Sequence, residues 1–222
     1  MVDFQPIYEA AMKRAGGEAA LRQVLPDVKS PDALRALGDD RYLSQMSLRV
    51  FRAGLKHSMV DGKWPAFEEV FHGFDPPRIR AMNDEQLEAL LGDARIIRHW
   101  GKIRSVRDNA SALCDLAKTN GGMGAYLAGW PAADTVGLWE DLSKRFSQLG
   151  GNSGPYFLRM VGKDTFLLTQ FVLKAMAHWG AYDGSGKGKR ERAKIQDVFN
   201  AWVEATSRPL SHLSLLLARS VD

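Results

Sequence analysis

Leu158-Arg159-Met160-Val161-Gly162-Lys163-Asp164-Thr165 has the spacing of two helices joined by a tight hairpin. Val161 supplies a branched apolar anchor, and Gly162 permits backbone conformations that other residues resist. Asp164 and Thr165 are both good helix N-terminal residues, so the second helix is expected to open at one of them. Free backbone N–H groups at such a helix start can hold a phosphate.

Outward from the hairpin, apolar spacing is helical almost everywhere. Residues 7–25, 31–37, 41–53, 64–71, 84–91, 94–118, 137–149, 165–179, 191–206 and 209–219 read as helices, separated by breaks rich in Gly, Pro and Asp. No alternating strand pattern persists, so the expected class is all-α. The 222 residues are 45% hydrophobic, enough for a real core, and we read residues 1–222 as one domain. No apolar run reaches membrane-spanning length. The N-terminus, with Asp3 and Glu9, does not read as a signal peptide, and a cytoplasmic location is expected. Cys114 is the single cysteine, which excludes an internal disulfide and a thiolate metal cluster within the chain. The five histidines are scattered, so no metal site and no cofactor are expected, and the protein should fold without zinc. A formal charge of +4 leaves a polyanion-binding patch possible without requiring one.

A second informative stretch lies upstream: Phe71-His72-Gly73-Phe74-Asp75-Pro76, then Ile96-Ile97-Arg98-His99 running through Lys102-Ile103 to Asn109-Ala110. With Ala53-Gly54-Leu55 and Phe67, these landmarks make residues 42–110 resemble the type I 3-methyladenine DNA glycosylases of the helix-hairpin-helix superfamily. The hairpin at 158–165 and the ending Arg208-Pro209-Leu210-Ser211 fit the wider superfamily, while the first forty residues do not match.

The resemblance implies a helix-hairpin-helix glycosylase fold, with two helical lobes flanking a cleft. It implies a monomeric repair enzyme that acts on double-stranded DNA containing alkylated bases, by flipping the damaged nucleotide out of the stack. Val161, Gly162, Lys163 and Thr165 become candidates for a phosphate clamp. Gly54 and Leu55 become candidates for the plug that fills the vacated stack. Many superfamily members carry a catalytic aspartate about twenty residues after the hairpin, which nominates Asp183. Asp164 stands where a lysine would allow lyase chemistry, so a monofunctional hydrolase is implied. The chain departs from the family where it has Arg49 in place of a pocket glutamate and His57 in place of a pocket tryptophan, and it lacks the family's zinc ligands. A non-catalytic or altered-specificity relative is the alternative.

The helix expected at 41–53 carries Arg41, Gln45, Arg49, Arg52 and Lys56 in a stripe beside its apolar face. Alone, such a run reads as a solvated face. The resemblance turns it toward DNA, with Arg52 and Lys56 as phosphate contacts. Arg49, Phe51 and His57 are the expected base-pocket residues, Arg49 facing a phosphate and Phe51 offering an aromatic face to a cationic purine. In 94–118, Ile96, Trp100, Ile103, Val106, Ala110 and Leu113 make a core stripe, which leaves Arg95, Arg98, Lys102 and Arg107 at the edges. His99 reads as a packed or surface histidine. Asp183-Gly184-Ser185-Gly186-Lys187-Gly188-Lys189 lacks the spacing and the preceding strand of a phosphate loop, and reads as a mobile basic loop.

Overall fold

The computed structural model describes residues 2–221, and every regular element among them is helical. In chain order these are α1 (Gln5–Ala15), α2 (Glu18–Arg22), α3 (Pro31–Arg35), α4 (Asp39–Arg52), α5 (His57–Val70), α6 (Pro76–Arg80), α7 (Asp84–Ala89), α8 (Trp100–Asn120), α9 (Met123–Gly129), α10 (Thr135–Arg145), α11 (Ser153–Val161), α12 (Gln170–His178), α13 (Lys189–Thr206) and α14 (Leu210–Arg219). The chain divides into two compact units. One combines the chain through Val28, residues 131–138, and the chain from Gly162 onward. The other takes residues 29–130 and 139–161.

In the first unit α14 packs against α1, α12 and α13. Leu210, Leu213, Leu216 and Leu217 give it a buried stripe at helical spacing. Aromatic rings fill the rest: Phe166 stacks on Phe199 at 4.4 Å, and Trp202 meets Phe199 edge-on at 5.5 Å and Phe4 at 5.1 Å. The Trp202 indole N–H donates to the Val2 carbonyl at 2.9 Å, which holds the first described residues on α13.

In the second unit α4 packs against α5, α8 and α11. Its apolar face meets a run of rings: Phe51 and Phe67 at 4.5 Å, Trp64 and Phe67 at 4.8 Å, Trp64 and Phe74 at 5.4 Å. The Phe-Asp-Pro landmark is explained here as architecture. His72, Gly73 and Phe74 all have positive φ (53°, 68° and 59°), a reversal that returns Phe74 to the stack. Two of them are non-glycine residues, a strain that the surrounding packing must offset. Asp75 then caps α6 by accepting from the Arg78 N–H at 3.1 Å, with Pro76 in the first turn where no N–H is needed.

The long helices fall close to the expected ranges, but 7–25 breaks at Gly16-Gly17 into α1 and α2, α6 and α9 form outside those ranges, and other local expectations change. α5 starts at His57 and carries Pro65 inside it, so the Asp61 carbonyl has no proline N–H to accept from. Ala94–His99 is not helical; α8 starts at Trp100, with His99 as its N-cap accepting from the Lys102 N–H at 3.3 Å. Residues 153–161, outside the helical ranges given above, form α11, because Gly154 and Pro155 lie in a first turn that tolerates them. No helix opens at Asp164 or Thr165: residues 163–169 are irregular and α12 begins at Gln170.

Candidate functional site

The turn between α4 and α5 is built from both sides. Gly54 is exposed with φ +76°, a conformation that favours glycine, and the Leu55 N–H closes back on the Arg52 carbonyl at 3.2 Å. Beneath it, Lys102 is buried rather than at an edge, because α8 turns it toward the carbonyl end of α4. Its ammonium donates to the Phe51 carbonyl at 3.2 Å and the Ala53 carbonyl at 2.7 Å. A cation there satisfies the orphan carbonyls and complements the helix dipole. Burial, and then the charge of Arg49, hold the Lys102 pKa below its ordinary value.

Arg49 is half-buried, with its guanidinium carbon 4.7 Å from the centroid of the Tyr156 ring on α11. Its Nε is buried and has no hydrogen-bond partner among the described residues. Burial lowers its pKa, and Arg52 pushes the same way against Tyr156. This corner of the unit is therefore electropositive.

The basic stripe is not a free one. Arg41 pairs with Asp40 and Glu68 and donates to the Gly73 carbonyl at 2.6 Å. Arg52 pairs with Asp61 at 2.7 Å, so its charge is already answered within the protein. Lys56 is exposed and precedes α5, whose first residue, His57, is exposed as well. Phe51 offers no face to a base: it is fully buried in the ring stack, with the Lys102 ammonium 6.0 Å from its centroid.

At the hairpin, Val161 ends α11, its side chain buried and its carbonyl accepting from the Lys29 ammonium at 3.2 Å. Gly162 is buried with φ +84°. Lys163 is half-buried, and burial lowers its pKa against the opposing pull of Asp164. The helix start expected at Asp164 is absent because that carboxylate is engaged elsewhere. It accepts from the N–H groups of Leu210 and Ser211, both at 2.9 Å, and caps α14. Thr165 is fully buried with its hydroxyl on the Phe166 carbonyl at 3.1 Å, which removes it as a surface phosphate ligand. The nearest helix start is that of α12, where the Thr169 hydroxyl accepts from the Val172 N–H at 3.2 Å.

Asp183 is exposed on the loop before α13. That loop is organised by Glu191, whose carboxylate accepts from the Ser185 hydroxyl at 2.8 Å and from the N–H groups of Lys187 at 3.0 Å and Gly188 at 3.3 Å. These bonds, the Ser185 hydroxyl first, hold the Glu191 pKa below its ordinary value. Gly186 is buried with φ +66°, and a Cβ there would approach Leu173 to 3.1 Å.

Arg49, Phe51, Arg52, Gly54, Leu55, Lys56 and His57 thus share one stretch of the second unit, which also holds Val161. Gly162, Lys163, Thr165 and Asp183 belong to the first. Lys102, Tyr156 and Glu191 were missed as site-building residues. Lys102 lies at helical spacing from buried Val106 and Asn109, and Gly188-x-x-Glu191 has the spacing of a capping box; both signals were in the sequence. Among the described residues no group of three His, Cys, Asp or Glu side chains could hold a metal ion. No helix among them is long and apolar enough to cross a membrane.

This all-helical architecture is that of the helical DNA glycosylases. It matches a crystal structure of 3-methyladenine DNA glycosylase I at TM-score 0.51 and 24% identity, covering 72% of this chain and 90% of that one. It also matches Methanocaldococcus jannaschii 8-oxoguanine glycosylase/lyase in complex with DNA containing 8-oxoguanine, at TM-score 0.56 and 13% identity over 95% and 94% of the two chains. Within that fold the chain belongs to the methyladenine glycosylase family, whose model matches residues 34–146, just over half of its length. Over 61 residues it is 44% identical to DNA-3-methyladenine glycosylase 1 of Escherichia coli (strain K12), which is 28% of this chain and 33% of that protein. The chain spans about a third of the length of the curated relatives it matches.

Proposed function

We propose that the protein is a DNA repair glycosylase that excises alkylated purines, flipping the nucleotide out and hydrolysing its N-glycosidic bond. The observation that carries this reading is the Ala53-Gly54-Leu55 turn, exposed at Gly54, held from below by Lys102 and lying inside the family-matched region. Gly54 and Leu55 fill the vacated stack, and Lys163 with the Gly162 turn and Lys56 hold phosphates. A purine alkylated at N3 carries positive charge, which weakens the bond to C1′ before any enzyme acts. The protein then gains most by stabilising the oxocarbenium-like transition state, the part assigned to the Asp183 carboxylate. Water adds to C1′ as the base departs neutral with the C1′–N electron pair, and the proton that the water loses passes to solvent. The same reading has the enzyme working as a monomer in the cytoplasm, on the nucleoid during repair.

A second reading, altered base specificity, is favoured by Arg49. In the base pocket it would present a cation, backed by Lys102, where the related enzymes have a carboxylate. The deciding experiment measures release of free base from duplexes carrying 3-methyladenine, hypoxanthine, an oxidised base or no damage. Release of 3-methyladenine alone supports the first reading, and preferred release of a neutral base supports the second. No release from any duplex sinks both.

A further inference from the structure

We propose that the cations at the start of α13, Lys187, Arg190 and Lys194, form a docking face for the sugar-phosphate backbone of duplex DNA, a surface separate from the hairpin. The inference rests on the glycosylase reading for its partner, and on charge arrangement for its location.

All three side chains are exposed, and among the described residues none has a carboxylate partner. Many of the arginines are answered by carboxylates: Arg41 by Glu68, Arg52 by Asp61, Arg80 by Asp115, Arg95 by Asp93, Arg107 by Asp84 and Arg145 by Asp141. Glu191 is the one acidic residue in the first turn of α13, and its carboxylate is turned onto the loop N–H groups. Asp183, Asp197 and Glu204, the exposed carboxylates of this loop and helix, pair with none of the three cations.

This placement opposes folding twice. Positive charge sits at the positive end of the helix dipole, and Arg190 and Lys194 stand four residues apart, where like charges repel. An external polyanion relieves both. The other exposed residues between Lys187 and Lys194 are Gly188, Lys189 and Ala193, so no large apolar side chain is present there to enter a bilayer or anchor a protein interface. A phosphate backbone needs neither.

The test is fluorescence anisotropy with a labelled duplex across a salt series, on the native chain and on Lys187→Ala/Arg190→Ala. Loss of two phosphate contacts should flatten the slope of log affinity against log salt by roughly 1.8, equally for damaged and undamaged DNA. The melting temperature should hold or rise. Lys13→Ala/Lys144→Ala removes the same formal charge from two helix C-terminal turns and should leave the slope in place. Native binding with an unchanged slope in the first variant, or equal slope losses in both variants, overturns the docking face while leaving the glycosylase reading intact. A flattened slope without base release from any damaged duplex keeps the face and removes the glycosylase. A native chain that binds no duplex removes both.

Discussion

Arg49 lies over the ring of Tyr156, its guanidinium carbon 4.7 Å from the centroid, with its Nε buried and unpartnered. The ring answers part of the charge by a cation–π contact, and no carboxylate answers the rest. A second cation about 4 Å away would be repelled by roughly 4 kcal/mol at an effective dielectric near 20.

Arg49→Glu should therefore raise excision of cationic 3-methyladenine relative to hypoxanthine, without changing affinity for undamaged duplex. Competition kinetics on a mixed substrate reads the ratio. Weaker binding of every duplex would instead make Arg49 a phosphate clamp.

Lys102→Met should destabilise the protein by about 1–3 kcal/mol, because it leaves the Phe51 and Ala53 carbonyls at the end of α4 without this donor while preserving side-chain volume. Urea unfolding measures the loss, and hydrogen exchange should show faster opening at residues 53–55. A variant with native stability would mean that water satisfies those carbonyls as well as the ammonium does.

Lys163→Ala should weaken binding of damaged and undamaged duplexes alike, and reduce the salt slope by about one contact. Its partial burial makes the ammonium less hydrated. An unchanged slope would assign this lysine to the interior alone.

For Asp183→Asn, single-turnover base release should slow far more than duplex binding weakens. The carboxylate is exposed and free to approach a ligand, and the amide keeps its shape without its charge. Equal rates would take Asp183 out of the mechanism.

Acid should loosen the loop that carries Asp183. The Glu191 pKa is depressed below its ordinary 4.5, so its stabilising effect is complete above that value and is lost as pH falls through the lower, folded-state value. Amide exchange at Lys187 and Gly188 should accelerate on acidification, and Glu191→Gln should abolish that pH dependence. Identical profiles in both proteins would exclude the carboxylate as the clasp.

The long amphipathic helices were legible because each buries a stripe at its own period: Leu43, Met46, Val50 on α4 and Leu210, Leu213, Leu217 on α14 need only local spacing to be seen. What escaped depends on distant partners. Asp164 has the composition of a helix start, yet it caps a helix 46 residues later, and nothing local distinguishes the two uses. Phe51 reads equally as a stacking platform or a core ring until Phe67 and Trp64 are seen around it. Tyr156 was lost with α11, whose Gly-Pro start resembles a break. Arg52 was read as a contact for DNA because Asp61 lies beyond the turn that separates them.

The bond from Asp164 to the start of α14 also bears on the order in which the molecule assembles. The first N–H groups of that helix stay uncapped until a residue 46 positions earlier has been brought back to it, and α1, which it packs against, lies at the other extreme of the chain. During synthesis, residues 29–130 and 139–161 can close on one another while α1 waits for a partner not yet made. Refolding should accordingly proceed in two phases. Rings of the Phe67 cluster would be protected early, and Trp202 would be quenched late, at a rate set by long-range loop closure rather than by helix formation.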